Sequence, residues 1–238
     1  MQNNLELEKA FFSIEVASEN SLIIYWQQKI DPSISQQIQL VNQKIQAEFS
    51  AWLIDTVPSY ASLLVIYNAV SIDYLSVTKK LETILNNTKN IQLETMDSEL
   101  LILPVYYSEQ TGPDLTRIAQ EKSLSVEEVI RIHQQQEYRA YSIGFAPGFC
   151  YLGQVDERIA MPRLSSPRKQ VAKGAVALAD RQTAVYPASS PGGWNILGLC
   201  PIDLFNPAAD PVMPIKVGDR VKFEAISRND FLTMGGVL

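Results

Sequence analysis

The amino-acid sequence predicts an α+β N-terminal domain over residues 1–90, followed by a mostly-β barrel domain over residues 91–238. Three observations support this prediction. Strand-like and helical patterns alternate through the first third of the chain, and a polar run at residues 86–90 ends them. The remaining sequence contains many short apolar runs separated by Gly and Pro, which is typical of a β-barrel.

The N-terminal domain is predicted to contain its elements in the order strand, strand, helix, strand, strand, helix. Apolar residues predict strands at residues 12–16, 22–26, 51–56 and 63–67. The first helix opens at Asp31-Pro32, and its apolar residues share one stripe, which comprises Ile34, Ile38, Val41 and Ile45. The second helix is marked by Tyr74, Leu75, Thr78, Leu81 and Leu85.

After a buried strand at residues 100–103, two short helices are predicted ahead of the other barrel strands. Gly112-Pro113 forms a turn, and Asp114 caps a helix that runs to Glu121. Residues 125–128, Ser-Val-Glu-Glu, form a capping box for the next helix, whose apolar face includes His133, the single histidine. Further strands are predicted at residues 140–143, 175–178, 183–186, 194–199 and 221–225.

Composition excludes several classes of function. The chain has 238 residues, 46% of them hydrophobic and 19% charged, which indicates a globular protein. Its net charge of −6 disfavours nucleic acid as the main ligand, because phosphate backbones are bound by an excess of Lys and Arg. The sequence has no signal-peptide pattern and no run that would span a membrane, so we expect a cytoplasmic protein. With two cysteines and one histidine, neither a disulfide framework nor a metal site is expected.

The sequence lacks the motifs that would place nucleotide or hydrolase chemistry in this chain. It contains no GxxxxGK[ST] loop, no GxGxxG after a strand, no GxSxG elbow and no HExxH helix. Any ATP chemistry would therefore need another architecture or another subunit.

Two loops combine stiff Pro-Gly corners with aromatic rings. Proline fixes φ and glycine permits positive φ, so such loops hold a defined shape and bring ring faces and backbone N–H groups to a ligand. A packed barrel corner has the same composition, and the pattern leaves both interpretations open. The candidate ligand-binding residues in these loops are Phe145, Pro147, Gly148, Phe149, Tyr151, Tyr186, Ser190, Gly192, Gly193 and Trp194.

Charged and titratable residues supply further candidates. His133 is either a core residue with satisfied hydrogen bonds or the proton carrier of a site. Arg163 and Arg168, each beside a proline, either clamp a carboxylate or phosphate or contribute only solvated surface charge. A third interpretation makes Cys150 a nucleophile activated by His133.

The same residues resemble the signature series of a known family, the 5-oxoprolinase B subunit, formerly described as the first subunit of allophanate hydrolase. Its members include a sporulation-kinase inhibitor. The resemblance covers nearly the whole chain, and the residues that carry it include Gly112-Pro113-Asp114-Leu115, His133, Tyr138, residues 144–149, Pro162-Arg163, Pro167-Arg168, Thr183, Tyr186-Pro187 and residues 190–194.

The resemblance implies that the second domain is a cyclophilin-like β-barrel. It also implies a protein that acts with a larger cyclophilin-like C subunit, and with a separate A subunit, in the ATP-dependent conversion of 5-oxoproline to glutamate. ATP, with Mg, is then expected in the complex and not in this chain alone. His133 would be a proton carrier or an orienting donor at the barrel mouth, and Arg163 and Arg168 would hold the oxoproline carboxylate or an ATP phosphate. The two loops would shape the pocket or the seam to the C subunit, and Thr183 would be a further ligand-binding residue.

The chain departs from the family pattern at several positions. Cys150 replaces a usual Pro, Ala184 replaces a usual Gly, and Leu199-Cys200 replaces a usual Arg-Thr pair, which removes an anion donor and a hydroxyl. Two rival functions stay open: a binding protein that inhibits a sensor histidine kinase without chemistry, and a part of a biotin-dependent urea carboxylase or allophanate hydrolase-like system.

Overall fold

The computed structural model describes residues 12–89, residue 91 and residues 100–238. The chain divides into two compact units, Met1–Met96 and Asp97–Leu238. The sequence predicts a domain boundary between residues 90 and 91. Residue 90 and residues 92–99 lie outside the described residues, so this boundary stays a prediction. Within the described ranges, no helix has the length and apolar character needed to cross a membrane.

The first unit is a four-stranded antiparallel sheet packed against two helices. Its elements are β1 (Ser13–Ser18), β2 (Ser21–Tyr25), α1 (Pro32–Glu48), β3 (Leu53–Pro58), β4 (Ser62–Tyr67) and α2 (Tyr74–Thr88). The strand order is β1-β2-β4-β3. Alternate residues of the central strands, such as Ile24 and Leu63 in direct register, enter one core with both helices.

Local sequence accounts for both helices. The Asp31 side chain accepts a hydrogen bond from the backbone N–H of Ser33, and the predicted stripe of α1 is buried throughout, as expected. Asp73 caps α2 in the same way. The predicted stripe of α2 is partly wrong, because Leu75 is 73% exposed and the face that enters the core is formed by Val77, Leu81, Ile84 and Leu85.

The second unit is built on a seven-stranded mixed sheet that curls into a nearly closed barrel. Its elements are β5 (Leu100–Val105), α3 (Leu115–Lys122), α4 (Val126–Gln135), β6 (Glu137–Ile143), β7 (Cys150–Gly153), β8 (Arg168–Val171), β9 (Ala175–Ala179), β10 (Gln182–Val185), β11 (Ser190–Gly192), β12 (Asn195–Leu199), β13 (Arg220–Ala225) and α5 (Arg228–Thr233). The strand order is β12-β9-β10-β7-β6-β13-β5, and only β13 and β5 are parallel neighbours within it. A two-stranded ribbon of β8 and β11 lies outside this sheet.

The two edges of the seven-stranded sheet meet just beyond β5. The backbone N–H of Tyr106 donates to the carbonyl of Leu199 at 2.8 Å, and the N–H of Leu199 donates to the carbonyl of Tyr106 at 3.1 Å. Gly198 permits this approach, since a Cβ there would lie 2.7 Å from the Tyr106 oxygen. Edge backbone groups that would otherwise be unpaired are thereby satisfied.

The two short helices precede β6, and one of them departs from its predicted start. The capping box is confirmed, with Ser125 and Glu128 bonded reciprocally to each other's backbone N–H. Asp114 occupies the N-cap position of α3, but its side chain makes no capping hydrogen bond, so the predicted capping role of that side chain is wrong. Its carboxylate instead accepts the backbone N–H of Ile196 at 2.7 Å.

We predict that Gly198→Ala destabilises the fold by about 1–3 kcal/mol, because the added methyl would overlap the backbone at the closure. Gly144→Ala is the matched control, since no atom lies within 4 Å of a Cβ at that position. Urea unfolding of the two variants measures the difference. Equal stabilities would contradict a closure that depends on this close approach.

Candidate ligand pocket

The two faces of strand β9 separate the barrel interior from an aromatic cluster outside. Val176 and Leu178 enter the barrel core, whereas the intervening Ala175, Ala177 and Ala179 belong to a second, smaller core. Because alanine side chains are small, they leave room for large rings on the outer face. That outer core includes Phe149, Tyr186 and Trp194, with Tyr151 packed against it.

The rings of this cluster form the walls of a small pocket. Phe149 is the central ring, with centroids 5.2 Å from Tyr186, 5.7 Å from Trp194 and 4.9 Å from Tyr151, all edge to face. The pocket has a volume of about 100 Å³. Its lining residues are Phe145, Phe149, Tyr151, Arg163, Tyr186, Pro191, Gly192, Gly193 and Trp194.

Both Pro-Gly loops contribute to the pocket, and their backbone shapes explain how. Phe145 has a φ of 73°, a left-handed conformation that is unusual for an aromatic residue, and its ring stands 64% exposed at the pocket. Gly148 also has a positive φ, of 82°, and a Cβ there would lie 2.7 Å from the Leu204 carbonyl. Gly192 packs against the hydroxyl of Tyr186, where any side chain would collide. The loops therefore hold the rings in one arrangement.

Arg163 supplies the positive charge of the pocket. Its side chain is exposed, and its guanidinium carbon lies 5.8 Å from the centroid of the Trp194 ring. Among the described residues it forms no salt bridge, so its charge is available to a ligand. Burial raises the pKa of Tyr186, and the nearby charge of Arg163 partly offsets that rise.

Arg168, the second predicted anion ligand, does not line the pocket. Its Nη2 atom lies 2.9 Å from both carboxylate oxygens of Asp114, and its Nη1 donates to the Trp194 carbonyl at 3.3 Å. The Asp114 carboxylate therefore already neutralises its charge. This placement favours a supporting role for Arg168 behind the pocket wall.

His133 lies inside the barrel and is completely buried. The Thr183 hydroxyl donates to the Ala177 carbonyl at 3.0 Å, so it accepts a hydrogen from His133 Nε2, which is 3.0 Å away. Nδ1 of His133 must then accept from the Tyr107 hydroxyl at 2.8 Å. The hydrogen bonds thus select the neutral tautomer protonated at Nε2, and the ring also stacks on Phe223, with centroids 4.6 Å apart.

The location of His133 separates it from the pocket. Thr183, which is hydrogen-bonded to His133, lies opposite Leu178 on the neighbouring strand, and the Leu178 side chain enters the barrel core. The next pair along the same two strands, Ala184 and Ala177, belongs to the outer core. His133 and the aromatic pocket consequently lie on opposite faces of the same two strands, and Thr183 does not line the pocket. This geometry favours the interpretation of His133 as a satisfied core residue, and the predicted catalytic role stays untested.

Comparisons with known proteins identify the family. Residues 12–215 match the family model described as carboxyltransferase domain, subdomain C and D. A relative from Bacillus subtilis, named as the B subunit of 5-oxoprolinase, is 34% identical over 230 residues, which cover 92% of this chain and 95% of the relative. This chain belongs to the 5-oxoprolinase B subunit family.

Several solved structures are similar to this chain in fold. The conserved uncharacterized protein PH0987 from Pyrococcus horikoshii is 38% identical, covers 92% of this chain and 100% of its own, and has a TM-score of 0.55. The protein TTHA0988 is 29% identical with a TM-score of 0.76, but this chain spans only about 40% of its length. Urea carboxylase from Kluyveromyces lactis shares the fold, with a TM-score of 0.73 and 15% identity. That match covers 93% of this chain and 22% of the urea carboxylase chain.

Positions at which this chain departs from the usual 5-oxoprolinase B subunit pattern lie in packed surroundings. Cys150 and Cys200 are both buried free thiols, and burial raises their pKa values to about 12 and about 11. The structure disfavours the nucleophile hypothesis for Cys150, because both ring nitrogens of His133 are bonded to Tyr107 and Thr183. Leu199 packs against the outer core.

The pocket does not suit ATP. Its volume of about 100 Å³ is well below the roughly 300–1,000 Å³ typical of pockets for larger ligands. Within the part of the chain that the structure describes, no three His, Cys, Asp or Glu side chains are grouped so as to hold a metal ion. The residues present therefore fit a small anion beside a ring surface better than a nucleotide with its cation.

Several features of the site have no signal in the sequence. Pro191 lines the pocket although it is not among the predicted residues, while the predicted Pro147, Gly148 and Ser190 lie in the same loops without lining it. Important hydrogen bonds also involve residues that belong to no motif, and these are Tyr107, Arg117 and Asn195. Their partners are distant in sequence, so spacing along the chain does not reveal them.

We predict that His133 makes stability depend on pH. Burial lowers its pKa to about 3 from an ordinary value near 6.5, so the unfolded chain binds a proton that the folded chain excludes. Stability is then fully present above pH 6.5 and is lost as pH falls toward 3. The expected loss is about 2 kcal/mol between pH 7 and pH 5.

The variant His133→Gln, which keeps a donor and an acceptor but does not titrate, isolates this effect. Urea unfolding at pH 7 and pH 5 should show a smaller loss of stability in the variant than in the wild type. Parallel losses in the two proteins would contradict a buried neutral His133.

Proposed function

We propose that this protein is the B subunit of a 5-oxoprolinase and that it acts with the C and A subunits to convert 5-oxoproline to glutamate with ATP hydrolysis. Its family membership supports this role, because the Bacillus subtilis relative that covers nearly the whole chain is named for it. Under this proposal the protein is cytoplasmic, its barrel is cyclophilin-like, and it works as part of a hetero-oligomer.

The observation that carries the proposal is an exposed cation beside an aromatic pocket. 5-Oxoproline is a compact, nearly flat five-membered lactam with one carboxylate. The rings of Tyr186 and Trp194 offer surfaces for the lactam, and Arg163 offers a bidentate partner for its carboxylate. The volume of about 100 Å³ is in keeping with a small ligand.

The reaction breaks the ring C–N amide bond and adds water across it. Opening a lactam at neutral pH is unfavourable, and ATP supplies the driving force when it is bound in the complex. The pocket residues of this chain would bind the lactam, orient its carbonyl and exclude water from the ring faces. Since this pocket is small for a nucleotide and the sequence has no phosphate-binding loop, we assign ATP binding to a site that needs the partner subunits.

Reconstitution tests this proposal. Glutamate formation from 5-oxoproline is measured with this chain alone and then with homologues of the C and A subunits from the same genome, with and without ATP. Activity that requires both ATP and the complete mixture is expected. A stable complex that makes no glutamate would contradict the assigned substrate, and failure to assemble would favour a separate binding function such as kinase inhibition.

We predict that Arg163→Gln raises the KM for 5-oxoproline in the reconstituted complex by about 10-fold to 100-fold. The reason is the loss of a charge-assisted hydrogen bond, which contributes roughly 1.5–3 kcal/mol. Lys169→Gln is the control, because Lys169 is a nearby exposed cation outside the pocket lining. Equal KM values for the two variants would show that Arg163 does not bind the carboxylate.

A further inference from the structure

A buried ionic cluster lies directly behind the pocket. The side chain of Asp114 is only 6% exposed, yet it carries a carboxylate that contacts two arginines. Arg168 lies 2.9 Å from both of its oxygens, and Arg117 Nη2 lies 3.6 Å from Oδ1. The same carboxylate accepts the backbone N–H of Ile196 at 2.7 Å. One carboxylate therefore joins the start of α3, the strand β8 and the strand β12.

The first arm of this cluster reaches the aromatic wall. Arg168 bonds to Asp114 through Nη2 and donates to the carbonyl of Trp194 through Nη1 at 3.3 Å. The Asp114 bond to Ile196 N–H fixes the backbone two residues further along. The backbone that follows the Trp194 ring is thus held at two successive peptide groups, one by Arg168 and one by Asp114 itself.

The second arm reaches the loop that carries Arg163. Arg117 Nη2 donates to the side-chain oxygen of Asn195, and Asn195 Nδ2 donates to the Pro162 carbonyl at 3.0 Å. Pro162 immediately precedes Arg163. On the other side of Arg163, the N–H of Leu164 donates to the Gly193 carbonyl at 2.7 Å. The loop that carries the cation is therefore linked to Asp114 through the ion pair with Arg117 and the two hydrogen bonds of Asn195.

Removing the carboxylate would affect both arms together. The two arginines, which are 37% and 30% exposed, would lose the countercharge that both of them contact. Glu121, which pairs with Arg117 at 2.9 Å, is more exposed and forms no salt bridge with Arg168 among the described residues. It would not restore the bond between Arg168 and the Trp194 peptide.

We propose that Asp114 is a positioning residue that sets the distance between the Arg163 guanidinium and the Trp194 ring, and so determines which small carboxylates fit the pocket. The identity of the ligand in this inference rests on the proposed function, whereas the positioning of Arg163 and Trp194 by Asp114 does not. Asp114 touches no ligand itself. It acts through Arg168 on the ring and through Arg117 and Asn195 on the cation.

Two measurements on the full chain test the geometry without any activity. In protein labelled with 5-fluorotryptophan, the ¹⁹F resonance of Trp194, assigned with Trp194→Phe, should move in Asp114→Asn, while the signals of Trp26 and Trp52 stay in place. Trypsin should also cleave the Arg163–Leu164 bond about tenfold faster in this variant, because the loop is less firmly held. Glu137→Gln is the control, since it removes a carboxylate from an exposed pair with Arg220.

Single-arm variants keep the proposal testable even where Asp114→Asn fails to fold. Arg168→Gln should move the Trp194 resonance and leave cleavage after Arg163 near the wild-type rate. Arg117→Gln should do the opposite. The proposal would be overturned if the Trp194 resonance did not move in Arg168→Gln and the cleavage rate did not change in Arg117→Gln. It would also be overturned if a folded Asp114→Asn kept both the wild-type resonance and the wild-type cleavage rate.

Kinetics of the reconstituted complex then test the consequence for the ligand. Asp114→Asn should raise the KM for 5-oxoproline about tenfold with a smaller change in kcat, because the binding wall is displaced and the chemistry is not. An unchanged KM with altered geometry would overturn the role in substrate fit. Absence of glutamate formation by the wild-type complex would instead refute the proposed function and leave the resonance and cleavage results to decide the role of Asp114.

Discussion

Side-chain alternation along β9 and β10 is the constraint that organises the second unit. On one face Leu178 and Thr183 enter the barrel, and on the other Ala177 and Ala184 face the aromatic cluster. Large residues inside allow the sheet to close around a packed core, while small residues outside leave space for rings. The barrel and the pocket are therefore two consequences of one pattern. This partition also gives His133 an interior role as a link between α4, Thr183 and Tyr107.

The pocket needs a second constraint, because alternation places the rings but not the cation. Arg163 lies on an irregular segment between β7 and β8, where no sheet ladder fixes its position. Hydrogen bonds from Asn195 to the Pro162 carbonyl and from Leu164 to the Gly193 carbonyl supply that control. The Asp114 carboxylate is buried, and an arrangement that separated it from its arginine partners would be costly. The cluster around Asp114 is suited to holding a loop in one geometry.

Much of the fold follows from local pattern, and the site follows only in part. The stripe of α1 and the capping box of α4 were predictable because each depends on residues a few positions apart. Eight of the predicted ligand residues line one pocket, since stiff loops with aromatic residues reveal themselves in sequence. The ribbon of β8 and β11 was missed because it is short and largely polar. The pairing of Arg168 with Asp114, 54 residues away, has no local signature, so the sequence alone left a bound anion and solvated surface charge as the alternatives for Arg168.

The most direct test of this account is a double-mutant cycle of Asp114→Asn and Arg163→Gln, read as kcat/KM for 5-oxoproline in the reconstituted complex. If Asp114 acts by positioning Arg163 and the wall beside it, its substitution should cost clearly less in the Arg163→Gln background than in the wild type. Equal costs in the two backgrounds would mean that the residues act independently. That result would contradict a pocket whose cation is held in place by the buried carboxylate behind it.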